Sequence, residues 1–176
     1  EIPNFESMKL EKIKNQIIMF EQSIFYYKLN RYLPNFTWYG TKGCKKKYLK
    51  SPQWLRNIKN KKFLFWRLDT LLSDTKYMNK YYINSGGWHF SNLKNAEDIE
   101  IKLKSYLHHR DYEVEELGLK KINELIKNNQ TVYDMFGDKI SKKYGDDKRK
   151  KLEKYEFSNL PEYIKLNKDK LKEWID

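Results

Sequence analysis

The sequence predicts an α/β fold, with a mixed sheet, flanking helices and a helical C-terminal half. Runs rich in Ile, Phe, Tyr and Trp, which favour strands, fall mainly in the first half of the chain, at 16–33, 37–41, 63–68 and 81–90. Apolar residues at helical spacing concentrate in the second half, at 96–106, 117–126 and 160–174. With 176 residues, 39% of them hydrophobic, the chain is long enough for a core, and we expect one domain over residues 1–176.

The first elements alternate between helix and strand signals. Residues 5–14 interleave apolar and charged side chains, which predicts a short amphipathic helix. Partial alternation at 16–33 predicts one or two strands, or a strand that runs into an aromatic hairpin, ending at Pro34. Residues 37–41 predict a further short strand, and the lysine-rich residues 42–50 predict an exposed loop.

A helix start is encoded at Ser51 and Pro52. Serine accepts a hydrogen bond from the backbone of the first turn, and proline is favoured at the first helical position because its missing N–H has no intrahelical partner there. Trp54, Leu55 and Ile58 would give this helix its apolar stripe.

Three helices are predicted from apolar periodicity in the second half, at 96–106, 117–126 and 160–174. The helix at 96–106 carries acidic residues in its first turn, which complement the helix dipole, and its buried side would include Ile99 and Leu103. The C-terminal helix at 160–174 offers four side chains for docking. They are Tyr163, Ile164, Leu171 and Trp174.

The charge is strongly basic, because 36 Lys and Arg residues oppose 24 Asp and Glu residues and give a net charge of +12. Only five of the basic residues are arginine, the residue that best suits phosphate and base-edge recognition, so we expect no specific nucleic-acid partner. Glycine-rich phosphate loops, dinucleotide fingerprints, nucleophile elbows and paired-histidine zinc motifs are absent from the sequence. No apolar run reaches membrane-spanning length.

The most informative segment is the Gly-Gly-Trp-His-Phe-Ser sequence at 86–91. Gly86 and Gly87 permit a close backbone approach to a ligand, Trp88 offers a flat face for a sugar ring, and His89 can hydrogen-bond to it. The chemistry alone fits equally a core strand with a bulge, a buried tryptophan and a paired histidine. Both interpretations remain open at this point.

Four motifs, in this order along the chain, resemble the β-1,4-mannosyl-glycoprotein β-1,4-N-acetylglucosaminyltransferases, the bisecting-type glycosyltransferases. They are Trp-Tyr-Gly at 38–40, Ser-Pro-Gln-Trp-Leu-Arg at 51–56, the segment at 86–91 with the downstream Glu97, and Leu-Pro-Glu-Tyr-Ile at 160–164 with Asn167. The opening Glu-Ile-Pro also resembles the end of the Asp-x-Asp-Glu-Ile-Pro element of that family, which places Glu1 at the edge of a metal site.

The resemblance implies a nucleotide-sugar donor, with N-acetylglucosamine as the sugar, and a divalent metal, Mn²⁺ or Mg²⁺, that offsets charge on the leaving diphosphate. The two aspartates and the nucleotide-binding half would precede residue 1. We therefore expect the chain to be the C-terminal, acceptor-side portion of an incomplete nucleotide-sugar transferase domain, inactive alone. Its partner would be a glycan or sugar acceptor.

The resemblance implies inversion at the transferred sugar, and an inverting transfer requires a general base for the acceptor hydroxyl. Glu97 is the first candidate and Asp69 the second, although Glu97 could equally serve only as a first-turn acidic residue of its helix. Trp88 and Trp66 are candidates for sugar stacking, and Arg67 for a diphosphate contact or a structural ion pair.

The alternative function is a non-catalytic basic module that binds nucleic acid or an anionic surface, with the aromatic side chains as stacking platforms. A lysine-rich chain whose one cysteine is Cys44 is more typical of a cytoplasmic bacterial or viral protein, and the question of an upstream anchor stays open.

Overall fold

A computed structural model shows a mixed α/β chain with two sheets and four α-helices among the residues it describes, which are 9–61, 66, 72–105, 116–133 and 149–176. The predicted α/β class is confirmed at this level. The chain divides into two compact units, whose boundaries fall within strands. Unit 1 comprises Glu1–Ser23 and Thr37–His89, and unit 2 comprises Ile24–Phe36 and Phe90–Asp176. Whether the chain folds as one domain stays a prediction.

The described elements follow one another as short strands first and helices later. The strands are β1 Ile17–Phe20, β2 Gln22–Tyr26, β3 Arg31–Trp38, β4 Lys42–Cys44, β5 Lys80–Ile83, β6 Trp88–Ser91 and β7 Glu153–Lys154. The helices are α1 Pro52–Asn57, α2 Ala96–Ser105, α3 Gly118–Lys127 and α4 Glu162–Leu166. Short 3₁₀ turns occur at Leu10–Lys12, Lys46–Tyr48, Phe157–Asn159 and Lys172–Trp174. No helix in these ranges combines the length and the apolar character needed to span a bilayer.

Unit 1 is built around β1, the central strand of a three-stranded sheet in the order β4-β1-β5. β1 pairs antiparallel with β4 and parallel with β5. Alternate side chains of a strand point to opposite faces, so Ile17 and Met19 pack with Trp54 and Ile58 on one side. Ile18 and Phe20 pack on the other side, in a separate cluster. All four residues of β1 are therefore buried.

Helix α1 begins as the sequence predicts. The Ser51 hydroxyl accepts a hydrogen bond of 3.0 Å from the Trp54 backbone N–H, and Pro52 occupies the first helical position. Trp54 is buried, and its indole N–H donates to the Asp74 carbonyl at 3.0 Å. Residues 51–58 thus anchor the helix at its start and along its buried face.

Three predictions for the first half are wrong in detail. Of the helix expected at 5–14, residues 9–14 contain only the 3₁₀ turn, because Lys9 is left-handed and Ile13 is extended. Pro34 does not end a strand but lies within β3, beyond the two residues that pair with β7, so its missing N–H costs no bond to that strand. Part of the expected loop at 42–50 is β4, because its residues pair with β1.

A four-stranded sheet in the order β6-β2-β3-β7 has most of its residues in unit 2. Helices α2 and α3 pack on each other. They bury apolar side chains at the spacing that predicted them, namely Ile99, Leu103, Ile122 and Leu125. An aromatic cluster fills the sheet side, where Phe25 lies 5.0 Å from both Phe90 and Tyr155 between ring centroids.

The C-terminal residues are fixed to the turn between β2 and β3 in unit 2. Leu29 N–H donates to the Trp174 carbonyl at 2.7 Å, and the Asp176 N–H donates to the Asn30 side chain at 3.0 Å. Arg31 forms an ion pair with the Asp176 carboxylate. The predicted single helix at 160–174 is instead α4 followed by a 3₁₀ turn.

Docking of the C-terminal segment also differs from the expectation. Ile164 is buried as predicted, and Leu171 and Trp174 are half-buried. Tyr163 is 71% exposed, so its predicted docking is wrong. Adjacent residues of a helix point about 100° apart around its axis, so the face that buries Ile164 leaves Tyr163 in solvent.

Candidate functional site

Two motifs that lie far apart in the sequence meet in unit 1. The indole of Trp38, the last residue of β3, stacks on the imidazole of His89 in β6, with centroids 4.9 Å apart and planes 23° from parallel. Both side chains are half-buried. The two rings form a two-layer stack in which each covers one face of the other, and we call this stack the Trp38–His89 wall.

Gly40 leaves the space that Trp38 occupies. A Cβ at this position would stand 2.8 Å from Cε2 of the Trp38 indole and would overlap its Nε1. Any larger residue would force the indole to move. The glycine of the Trp-Tyr-Gly motif therefore permits the ring position that stacks on His89.

The paired glycines before β6 approach the backbone of this same chain. A Cβ on Gly86 would meet the Ile83 carbonyl oxygen at 2.8 Å and the Glu21 backbone nitrogen at 2.9 Å. Gly86 N–H donates to the Glu21 carbonyl at 2.7 Å, and Gly87, with φ 126°, accepts from the Ser23 N–H at 3.1 Å. These contacts account for both glycines structurally, and a ligand contact by them stays a prediction.

A cleft of about 620 Å³ opens beside the Trp38–His89 wall. Its other lining residues come from the end of β3, from β4 and from α1 and the residues after it. They are Thr37, Tyr39, Gly40, Thr41, Lys42, Arg56, Lys59 and Asn60. We call this the unit 1 cleft.

Two lysine ammonium groups hold the end of α1 beside the cleft. Lys42 Nζ donates to the Arg56 carbonyl and Lys80 Nζ to the Lys59 carbonyl, each at 2.8 Å. Carbonyl groups at the C-terminal end of a helix lack intrahelical partners and carry partial negative charge, so cations are favoured there. These bonds tie α1 and its following turn to strands β4 and β5.

The same groups repel one another. Burial lowers the pKa of Lys42 from its ordinary value, and the charges of Lys59, Lys80 and Arg56 lower it further. Burial also lowers the pKa of Lys80. No carboxylate of the described residues lies within ion-pairing distance of any of these four cations. The cleft is therefore electropositive.

One carboxylate, Glu21, does lie nearby, and a tyrosine engages it. The Tyr39 hydroxyl donates to Glu21 Oε1 at 2.8 Å. Burial, and then the hydrogen bond and charge of Glu21, raise the pKa of Tyr39 to about 12. Tyr82 packs edge-on against Tyr39, with centroids 5.9 Å apart, and donates to the Asn60 side-chain oxygen at 2.7 Å.

Glu97, the first candidate for the general base, lies in unit 2. It is exposed in the first turn of α2, whose start is capped where the Asn95 side-chain oxygen accepts from the Asp98 N–H at 2.8 Å. A cavity of about 310 Å³ borders it, and other residues at its edge include Lys28, Lys94 and Trp174. Asn95 caps the helix, and Glu97 lies in its first turn, where an acidic residue complements the helix dipole; the catalytic role of Glu97 stays a prediction.

The remaining predicted site residues have different outcomes. Trp88 is half-buried in β6, and Trp66 is 62% exposed. Glu1, Arg67 and Asp69 lie outside the described residues. Within the described ranges no three His, Cys, Asp or Glu side chains form a group that could hold a metal ion. The described residues therefore do not supply the metal site implied by the resemblance.

The cations of the cleft were missed as site residues. Lys42 falls in a lysine-rich run that predicts only an exposed loop, and Lys59 lies in a similar lysine-rich stretch. Arg56 had a usable signal, because it is one of only five arginines and ends the Ser-Pro-Gln-Trp-Leu-Arg motif.

Compared with known proteins, the chain matches no protein-family model, no curated protein and no solved structure.

Proposed function

We propose that the chain is the acceptor-side part of a nucleotide-sugar-dependent glycosyltransferase, in which the unit 1 cleft contacts a sugar substrate. The sugar transferred would be N-acetylglucosamine, by resemblance, and the acceptor a glycan or another sugar. The observation that carries the proposal is the convergence of three motifs on one cleft. Trp38, Arg56 and His89 each belong to a different one of the motifs that resemble this family, and all three line the cleft.

The aromatic wall supports sugar binding. The faces of pyranose rings are apolar C–H surfaces, and aromatic side chains combine a large apolar area with restricted geometry. The stack of Trp38 on His89 stiffens both rings before a ligand arrives. A rigid wall reduces the conformational entropy that binding would otherwise cost.

The chemical step is acceptor activation. The hydroxyl oxygen of the acceptor attacks the anomeric carbon of the donor, and a carboxylate accepts the proton of that hydroxyl. The bond between the anomeric carbon and the nucleotide diphosphate breaks, and the diphosphate leaves. Glu97 and Asp69 are the proposed carboxylates. A Mn²⁺ or Mg²⁺ ion, held by residues outside those described, would supply charge neutralisation on the departing diphosphate.

The electropositive cleft also supports the alternative, a non-catalytic module for nucleic acid. The two functions differ in salt dependence, because a protein that neutralises several phosphates loses affinity steeply as salt rises. Tight binding of the chain to single-stranded oligonucleotides at low salt, lost across moderate salt, would favour the alternative.

The direct test is a donor screen with the full product of the gene. We expect turnover of at least one nucleotide-sugar, detected by release of the nucleoside diphosphate, and we expect EDTA to abolish it and added Mn²⁺ or Mg²⁺ to restore it. No turnover of any nucleotide-sugar with any sugar acceptor would contradict the proposal.

A further inference from the structure

The unit 1 cleft holds more hydrogen-bond donors and positive charge than a neutral sugar can use. Lys42, Arg56 and Lys59 line it. The Lys42 ammonium is partly engaged, since it donates to the Arg56 carbonyl. The charged ends of Arg56 and Lys59 are exposed, and no acceptor among the described residues is bonded to either.

Two polar side chains of the cleft already have partners within unit 1. The Asn60 side-chain oxygen accepts from Tyr82, and Tyr39 donates its hydroxyl proton to Glu21. A neutral sugar offers hydroxyl groups that both donate and accept, and it is bound best where both kinds of partner are free. Phosphate and carboxylate groups only accept, and they match lysine and arginine donors with charge-assisted hydrogen bonds.

We propose that the ligand of the unit 1 cleft is an anionic sugar, one that bears a phosphate or carboxylate group. Its ring lies against the Trp38–His89 wall, and its anionic group reaches Arg56 and Lys59. The inference rests on the proposed function and deepens it, because it names the class of the sugar substrate.

Electrostatics within the cleft favours the same ligand. Burial, and then the positive charges of Lys59, Lys80 and Arg56, disfavour the charged form of Lys42 and lower its pKa. A bound anion reverses this effect, since it lies near several cations that otherwise repel one another. Binding is therefore expected to strengthen as ionic strength falls.

The test is calorimetric titration of the 176-residue chain at low salt with glucose 6-phosphate, glucuronic acid, N-acetylglucosamine, inorganic phosphate and uridine diphosphate. We expect glucose 6-phosphate, glucuronic acid or both to bind, with N-acetylglucosamine and inorganic phosphate at least roughly ten-fold weaker. The first two sugars distinguish a phosphate-bearing from a carboxylate-bearing substrate.

Variants locate the binding. The exposed side chains of Arg56 and Lys59 allow R56Q and K59Q without loss of core packing, and we expect the double variant to weaken the anionic sugar roughly ten-fold. K46Q removes an exposed lysine of unit 1 that does not line the cleft, and it should bind like the wild type.

Four results would overturn the inference: equal binding of the neutral sugar, equal binding of bare phosphate, no binding of either anionic sugar, or a double variant that binds like K46Q. Binding of uridine diphosphate through Arg56 and Lys59 without either anionic sugar would also overturn it. Nucleotide-sugar turnover by a protein that binds no anionic sugar would remove this inference alone. Anionic-sugar binding by a protein with no turnover would remove the proposed function alone.

Discussion

Single residues in this protein are constrained most where two stretches of backbone approach each other. At Gly86 the nearest atoms to a would-be Cβ include a carbonyl oxygen and an amide nitrogen, neither of which can rotate away as a side chain does. At Gly43 in β4 the nearest atom is 3.9 Å away, an ordinary contact distance. Gly86 and Gly43 therefore form a matched pair, one in a tight backbone contact and one in open packing.

Gly86→Ala should destabilise the fold by about 1–3 kcal/mol, because the methyl group forces the backbone of β1 and the turn after β5 apart. Gly43→Ala should stay within about 0.5 kcal/mol of the wild type. Urea unfolding followed by circular dichroism measures both. Equal stability of the two variants would refute the close approach at Gly86.

The base assignment is also a question for single residues. If Glu97 is the general base, Glu97→Gln in the full gene product should lower kcat by roughly 10²-fold or more while donor affinity changes little. If Glu97 serves only the helix dipole, the variant should lose well under about 1 kcal/mol of stability and turn over normally.

Asp69→Asn, measured under the same conditions, is the comparison. A loss of kcat in Asp69→Asn alone would move the base to Asp69. Normal kcat in both variants would show that neither carboxylate is the base.

Among the elements, α1 links the core of unit 1 to the cleft. Its Trp54 packs with residues of β1, and Arg56 near its C-terminal end lines the cleft. Its start depends on Ser51, and its end is held by Lys42 and Lys80. Because the helix has only six residues, its own hydrogen bonds contribute little, and both ends need outside partners.

Ser51→Ala should cost about 1 kcal/mol of unfolding free energy, since the Trp54 N–H loses its acceptor. Ser51→Asp keeps an acceptor at the same position and should restore most of that loss. Thermal or urea unfolding of the three proteins tests this. An Ala variant as stable as the Asp variant would mean that the cap contributes nothing.

The predictability of the elements follows from the range of the interactions that form them. Ser51 with Pro52, and the apolar spacing of α2 and α3, are local signals, and the elements they predict are confirmed. β4 was missed because its strand conformation depends on pairing with β1, which lies far away in sequence. The strand end predicted at Pro34 is wrong because proline is tolerated in β3 beyond the point where β7 begins, at the pairing of Glu153 with Tyr32.

The candidate site was predictable to a similar extent. His89 was identified from its glycine-rich segment, but its partner in the stack could not be, because periodicity does not reveal which distant residues meet. The cationic lining was hidden by an overall excess of lysine, in which no single lysine stands out.

Across the whole molecule, buried tyrosines couple stability to alkaline pH. Tyr39 has a folded-state pKa of about 12 against an ordinary value of 10.0, and burial raises the pKa of Tyr26 and Tyr27 as well. A raised pKa means that the folded state retains the proton longer than the unfolded state. The resulting stability is fully present below pH 10 and is lost as the pH rises towards the folded-state value.

Unfolding free energy should therefore fall between about pH 10 and about pH 12. Tyr39→Phe removes one of the responsible groups and should show a shallower fall than the wild type over the same range. Urea unfolding at several pH values measures both slopes. Identical slopes would contradict the raised pKa of Tyr39.

The central claim is that the Trp38–His89 wall contacts a sugar substrate of a glycosyltransferase. The most direct measurement is kcat/KM for nucleotide-sugar turnover by the full gene product carrying Trp38→Ala, compared with Tyr81→Ala, which removes an exposed aromatic side chain of unit 1 that does not line the cleft. The account predicts a loss of roughly ten-fold or more for Trp38→Ala, since a stacked aromatic contact is removed, and near-normal turnover for Tyr81→Ala. Wild-type kcat/KM in a folded Trp38→Ala variant would contradict it.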